Sequence, residues 1–262
     1  ILSKSILVNN NNYTNEGNFK VFKSSTINNN SSLTNYNSIT NYGIMNNLGT
    51  ITSNSTGNIL NYRTIDNKNG GVFTNSGQIT NKKLGSTNSD SVDTSDIYGI
   101  LNNTGTINHN SGQITNNGKI QNNVTTGLIN NKAIIDSDSL IINLGIINNQ
   151  NNSKIDNIGL FDNKSSGTVN NYSSINNNSS SKAGLLKNIG IINNAIDGNY
   201  TGVITNKAQI QNILIGTDSG IINNYNLITN DSLLVNNSIV KNLLNCNIVN
   251  NDEIQENYEF YN

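Results

Sequence analysis

The chain has 262 residues, a formal net charge of −1, only 12% charged residues, no Pro, no Trp and a single Cys. Such neutrality leaves no electrostatic footprint for nucleic acid or an anionic membrane, no apolar run approaches the roughly 18 residues of a membrane span, and one Cys excludes an intrachain disulfide. Asparagine makes up about a quarter of the sequence, as it does in many disordered chains, so the order of the residues must decide whether this one folds.

The amino-terminal stretch, Ile1 to Phe22, reads as lying outside any repeat. Its first eight residues are apolar enough for a strand, and Ile1, Leu2, Ile6, Leu7 and Val8 form a candidate docking strand or cap over residues 1–22. From residue 23 a register sets in. Large apolar residues fall at Ile27, Leu33, Ile39, Met45 and Ile51, a constant step of six. Two places after the first four of these stand Asn29, Asn35, Asn41 and Asn47. Two places further on the residue is small, as at Gly43, Gly49 and Gly77. A disordered tract has no reason to keep three linked slots in phase.

A step of six does not match the three-and-four spacing of a helix, but it is three periods of two, the alternation of a strand. Positions one, three and five of each unit therefore face inward. Positions two, four and six, such as Thr40, Tyr42, Lys119, Gln121 and Asp156, face water. A single short strand cannot bury an isoleucine. A coiled chain can, because each unit stacks on its equivalent about 4.8 Å away in the next coil. Buried asparagines at the corners can then hydrogen-bond their amides from coil to coil, and Asn tolerates the left-handed backbone that a corner needs. The sequence thus predicts an all-β fold, a parallel β-solenoid with Asn ladders.

Residues 23–81 form the first part of this predicted solenoid. Residues 82–99, "KKLGSTNSDSVDTSDIYG", leave the register and carry three spaced carboxylates, Asp90, Asp93 and Asp96. Two readings stand for them: a solvated loop, or a Ca²⁺ site, since calcium takes several loop oxygens. The repeat resumes over residues 100–251, with Ile135, Ile141, Ile147, Ile222, Ile228 and Leu234 in the apolar slot. Its asparagine slot holds Asn131, Asn143, Asn149, Asn224, Asn230 and Asn236. His109 occupies the asparagine slot of its unit and reads as a ladder substitute. Cys246, six residues after Val240, reads as a buried thiol in the apolar slot. The closing residues 252–262, rich in Glu and Tyr, read as a second cap.

The repeat slips at intervals. The step is eight from Ile51 to Ile59 and from Ile65 to Phe73, and eleven or twelve from Ile175 to Leu186 and from Ile192 to Ile204. These insertions fall at every second corner. On a coil with an even number of strands they would line one edge, and on a three-sided coil they would wander from corner to corner. The regular alternation leans to the even number, the precedent of known β-helices is three, and the number of strands per coil stays open.

An aliphatic residue at position one with a small residue at position five resembles the hexapeptide-repeat β-helices. The string "G-x-I-x-N-x-G-x-I" more closely resembles Asn-rich repeat proteins, the surface or fibre proteins of giant viruses and the haemagglutinin-like adhesins of bacteria. Hexapeptide acyltransferases need a catalytic histidine at a coil edge, and the single histidine here sits in a ladder slot, so that activity is not carried over. Carbohydrate-cleaving β-helices need converging carboxylates, whereas those of this chain are scattered.

The resemblance and the repeat together imply a structural protein with no catalytic activity and no cofactor. It would be a rod serving as fibre subunit or stalk, self-associating head to tail, at the cell surface, outside the cell or on a virion. The chain starts at Ile1 without Met, which fits a processed or longer product. The alternative is an adhesin that engages glycans through outward Asn, Thr and Tyr. A third reading, ice binding, needs a regular outward Thr array. Thr40, Thr52, Thr74, Thr80, Thr115, Thr205 and Thr229 supply part of one, and Leu60, Asp66, Gln121, Asp156 and Lys187 interrupt it.

Overall fold

The computed structural model describes residues 5–82, 99–123, 127–131, 134–137, 139–150, 152–177, 185–188, 191–194, 203–206, 209–212, 214–215, 218–224, 227–231, 233–242, 247–251, 253–256 and 260–261. These form a parallel β-solenoid with three strands per coil. Leaving aside the short pair Leu214–Ile215 and Asp218–Ser219, each strand pairs with the third strand after it, which generates two sheets of 12 strands and one of 11. The first face starts at strand Ile6–Asn9, the second at Tyr13–Asn15 and the third at Asn18–Val21. Pairing is residue for residue: Ile27 lies against Met45, and Leu33 against Ile51. One short antiparallel pair, Leu214–Ile215 with Asp218–Ser219, stands apart from the three sheets.

Three faces, and not an even number, correct the reading drawn from the insertions. The extra residues between Ser53 and Asn58 lie at the corner from second to third face, and those between Asn67 and Val72 at the corner from first to second. An insertion at every second corner of a three-sided coil steps round the molecule, so no single edge collects them. The segment 83–98, which holds Asp90, Asp93 and Asp96, lies outside the described residues. The residues that flank it meet, since Gly99 N–H donates to the Lys82 carbonyl at 2.7 Å.

Alternation places the core. Nearly every strand reads half-buried, buried, half-buried, buried. Ile39, Met45, Ile51, Ile135, Ile141, Ile147, Ile222, Ile228 and Leu234 are buried in one continuous apolar column. Each enclosed aliphatic side chain contributes about 1.5–3 kcal/mol. Stacking alike on alike makes the contribution regular along the axis.

Two expectations about the ends change. The amino-terminal stretch is in register: Leu7 pairs with Ile27, Tyr13 with Leu33 and Phe19 with Ile39. Residues 6–21 are thus the first coil, with larger side chains in the apolar slot. Tyr13 and Phe19 pack ring to ring there, 5.6 Å between centroids. At the other end the slot after Val240 belongs to Ile248, which lies against Ile228 and packs on the core. Cys246, read into that slot from the sequence, lies outside the described residues, as do Ile1 and Leu2.

Candidate functional site

The corners come first, because they make the faces rigid. On the first face Asn9, Asn29, Asn47, Asn67, Asn103, Asn122, Asn143, Asn163, Asn188, Asn212 and Asn236 form one unbroken ladder. Each Nδ2 donates to Oδ1 of the next residue at 2.7–3.0 Å. Asn131, Asn149 and Asn224 belong to the ladder of the second face, and Asn41 and Asn230 to that of the third. Among the described residues the bonds of these inner ladders all point the same way along the chain.

Asn116 shows why asparagine suits this slot. Its Nδ2 donates to Ser137 Oγ at 3.1 Å and to the Leu140 carbonyl at 3.1 Å. Its Oδ1 accepts from Asn81 Nδ2 at 2.9 Å and from Gly118 N–H at 3.3 Å. Two donors and two acceptor sites are all an amide has, so a fully buried side chain is left with nothing unpaired. The left-handed backbone invoked for these asparagines is not used. Among the described residues other than Gly, only Ser24 and Asn152 have positive φ. The corner is held by side-chain bonds to the turning backbone.

His109 stands in the second-face ladder and is buried. Asn75 Nδ2 lies 3.1 Å from its Nδ1. Ser53 and Ser137 replace asparagine in two further slots. These are shorter rungs within the same packing.

The outward side chains differ from face to face. The first face carries Asp66, Lys119, Asp162, Lys187 and Glu253, and the third carries Lys20, Lys154 and Asp156. Lys68 pairs with Asp66, Lys154 with Asp156 and Lys164 with Asp162. The second face is different. Its outward side chains run in two columns. One is Ser32, Thr50, Val72, Thr106, Leu128, Ile146, Thr168, Ile191, Ile221 and Ile239; the other is Thr34, Thr52, Thr74, Asn108, Asn130, Asn148, Asn170, Asn193 and Asn223. Among the described residues of this face no charged side chain appears between Ser32 and Ile239, and Lys241 ends the run.

The second column holds an outer ladder that the sequence reading missed. Asn130 donates to Asn108, Asn148 to Asn130, Asn170 to Asn148, Asn193 to Asn170 and Asn223 to Asn193, all at 2.9–3.0 Å. Its bonds run toward the amino terminus, opposite to the inner ladders. The signal was the Asn-Asn doublet at 130–131, 148–149, 170–171, 193–194 and 223–224. It becomes a column only once the coil is known to have three sides.

Three outward aromatic residues, Phe22, Tyr42 and Tyr62, gather at one corner. Tyr42 and Tyr62 stack with centroids 4.8 Å apart and planes 7° from parallel. The Lys20 ammonium sits 5.0 Å from the Tyr42 ring and 5.1 Å from that of Phe22. Tyr62 lies on the coil after Tyr42 and Lys20 on the coil before, so both faces of the Tyr42 ring are covered.

Among the described residues no group of three or more His, Cys, Asp or Glu could hold a metal ion, and no helix is long and apolar enough to cross a membrane. No protein family, no curated protein and no solved structure matches the chain.

Proposed function

We propose that the protein is a structural rod, the subunit or stalk of a fibre at the cell surface, outside the cell or on a virion, assembling head to tail and performing no catalysis. The observation that carries this reading is the exposed strand Ile6–Asn9, which ends its sheet. Ile6, Leu7 and Val8 are exposed there. Thr26 N–H and Asn30 N–H bond the carbonyls of Ser5 and Asn9. By strand alternation the N–H and C=O of Ile6 and Val8 turn to the free edge, a template for another strand. The uniform direction of the inner ladders supports the same reading, since a second copy placed end on has its amides in matching orientation.

Val8→Pro tests it, because proline removes an N–H from the free edge and leaves the bonds to the next coil in place. Filaments of the unaltered protein in negative-stain images, lost in this variant while its circular dichroism is unchanged, are the expected result. A monodisperse monomer at high concentration would sink the fibre reading. The adhesin alternative draws support from the outward asparagine column, whose amides suit sugar hydroxyls, and retention on a glycan array by the monomer would favour it.

A further inference from the structure

Between Ser32 and Asn108 the second face is a lattice of small side chains. One column reads Ser32, Thr50, Val72, Thr106 and its neighbour Thr34, Thr52, Thr74, Asn108. Strands about 4.8 Å apart and a rise of about 3.3 Å per residue set hydroxyls and methyls on a grid of roughly 4.8 by 6.6 Å. The pairing has no bulge, and Leu33, Ile51, Phe73 and Ile107 lie buried directly beneath. This grid is therefore stiff.

Its chemistry narrows the ligand. Among the described residues it offers no charge to an anionic or cationic partner. Its two columns hold no aromatic or Arg anchor of the kind that concentrates binding energy in protein interfaces, and the exposed Tyr36 ring stands at the corner after Asn35, off these columns. What matches an uncharged, periodic array of hydroxyl and methyl groups is an uncharged, periodic array of water. We propose that the second face between Ser32 and Asn108 binds ice. Threonine methyls sit in the openings of the water lattice, while the hydroxyls join its hydrogen bonds. The spacing along the rod lies close to the repeat of water oxygens on the faces of hexagonal ice.

In the linear sequence this reading fails, because Leu60, Asp66, Gln121, Asp156 and Lys187 interrupt the outward threonines. The fold removes each objection. Asp66, Gln121 and Lys187 lie on the first face, and Leu60 and Asp156 on the third. The inference does not depend on end-to-end assembly, which uses the coil edges.

Full-length protein would be measured for ice recrystallisation inhibition, thermal hysteresis and uptake into a growing ice front. Thr52→Lys and Thr74→Lys place an ammonium on the second face. Thr80→Lys places it at the equivalent outward position of the third. Folding of each is checked by thermal melt. The unaltered protein and Thr80→Lys should enter ice and slow recrystallisation. Thr52→Lys and Thr74→Lys should need at least about tenfold more protein, because an ammonium resists losing its water. Val8→Pro should keep the full effect, which separates this inference from the fibre reading. No ice activity in the unaltered protein overturns the inference, as does an equal loss in Thr80→Lys. A lateral dimer that Thr52→Lys dissociates, in a protein without ice activity, would make the face a contact between copies and overturn it too.

Discussion

Asn75 lies with its side-chain nitrogen 3.1 Å from Nδ1 of His109, inside a ladder otherwise built mainly of amides. The direction of that bond is fixed by the turn beside it. Asn75 Nδ2 also donates to the Gly77 carbonyl at 2.9 Å, and its Oδ1 accepts from Gly77 N–H at 3.3 Å. The amide cannot flip without losing both. His109 Nδ1 is therefore an acceptor and its proton sits on Nε2. A ¹⁵N imidazole spectrum should show this tautomer. His109→Asn should melt within a few degrees of the parent, while His109→Leu removes an acceptor from Asn75 and should cost about 1–3 kcal/mol. Equal melting points for the two variants would remove His109 from the ladder.

Ile141 and Ile142 are neighbours in sequence and opposites in environment, the first buried in the core and the second half-exposed on the first face. Ile141→Asp places an unpaired carboxylate among stacked isoleucines and should cost at least about 3–4 kcal/mol. Ile142→Asn should stay within about 1 kcal/mol. Asn is preferred to Asp there because residue 142 pairs with Asp162, and like charges opposite one another destabilise. Comparable urea midpoints would overturn the assigned register.

Asn143 and Asn148 both stack, in ladders of opposite direction. Asn143 is fully buried, accepts from Asn122 and donates to Asn163 and to the Thr168 carbonyl. Asn148 is half-exposed, where water can take over its bonds. Asn143→Ala should cost about 2–3 kcal/mol and Asn148→Ala under about 1 kcal/mol. Amide hydrogen exchange at the corner after residue 143 should speed up in the first variant alone.

A β-carbon on Gly145 would come within 2.2 Å of the Gly127 carbonyl oxygen of the preceding coil. One on Gly17 meets nothing within 4 Å. Gly145→Ala should therefore push two coils apart and lower the melting temperature by several degrees, at a cost on the order of 1–3 kcal/mol. Gly17→Ala should leave it unchanged. A tolerant Gly145 would show that the corners have slack.

The sequence by itself determined the strand type, the inward and outward sides, the apolar column and the asparagine slots. Six is a multiple of the two-residue strand period, so the alternation at Ile39, Thr40, Asn41 and Tyr42 holds whatever the coil size. It also held the first coil in plain view, for Leu7, Tyr13 and Phe19 keep the step of six. Their bulk and the longer step to Ile27 hid them. The slot after Val240 misled in the opposite way, since the step of six points to residue 246 while Ile248 occupies it.

Only the tertiary structure decided how many strands close a coil, and with it which outward residues are neighbours. A six-residue unit fits two, three or four sides equally well. Closure depends on how many inward side chains fill the cross-section, and three meet there. Thr52 consequently lies between Thr34 and Thr74, 18 and 22 residues away along the chain, while Asp66 and Asp156, part of the same linear series, turn to other faces. Charge looks scattered along the sequence because consecutive units point in three directions, and the fold sorts it, since hydrogen bonding between coils joins each strand to the third one after it.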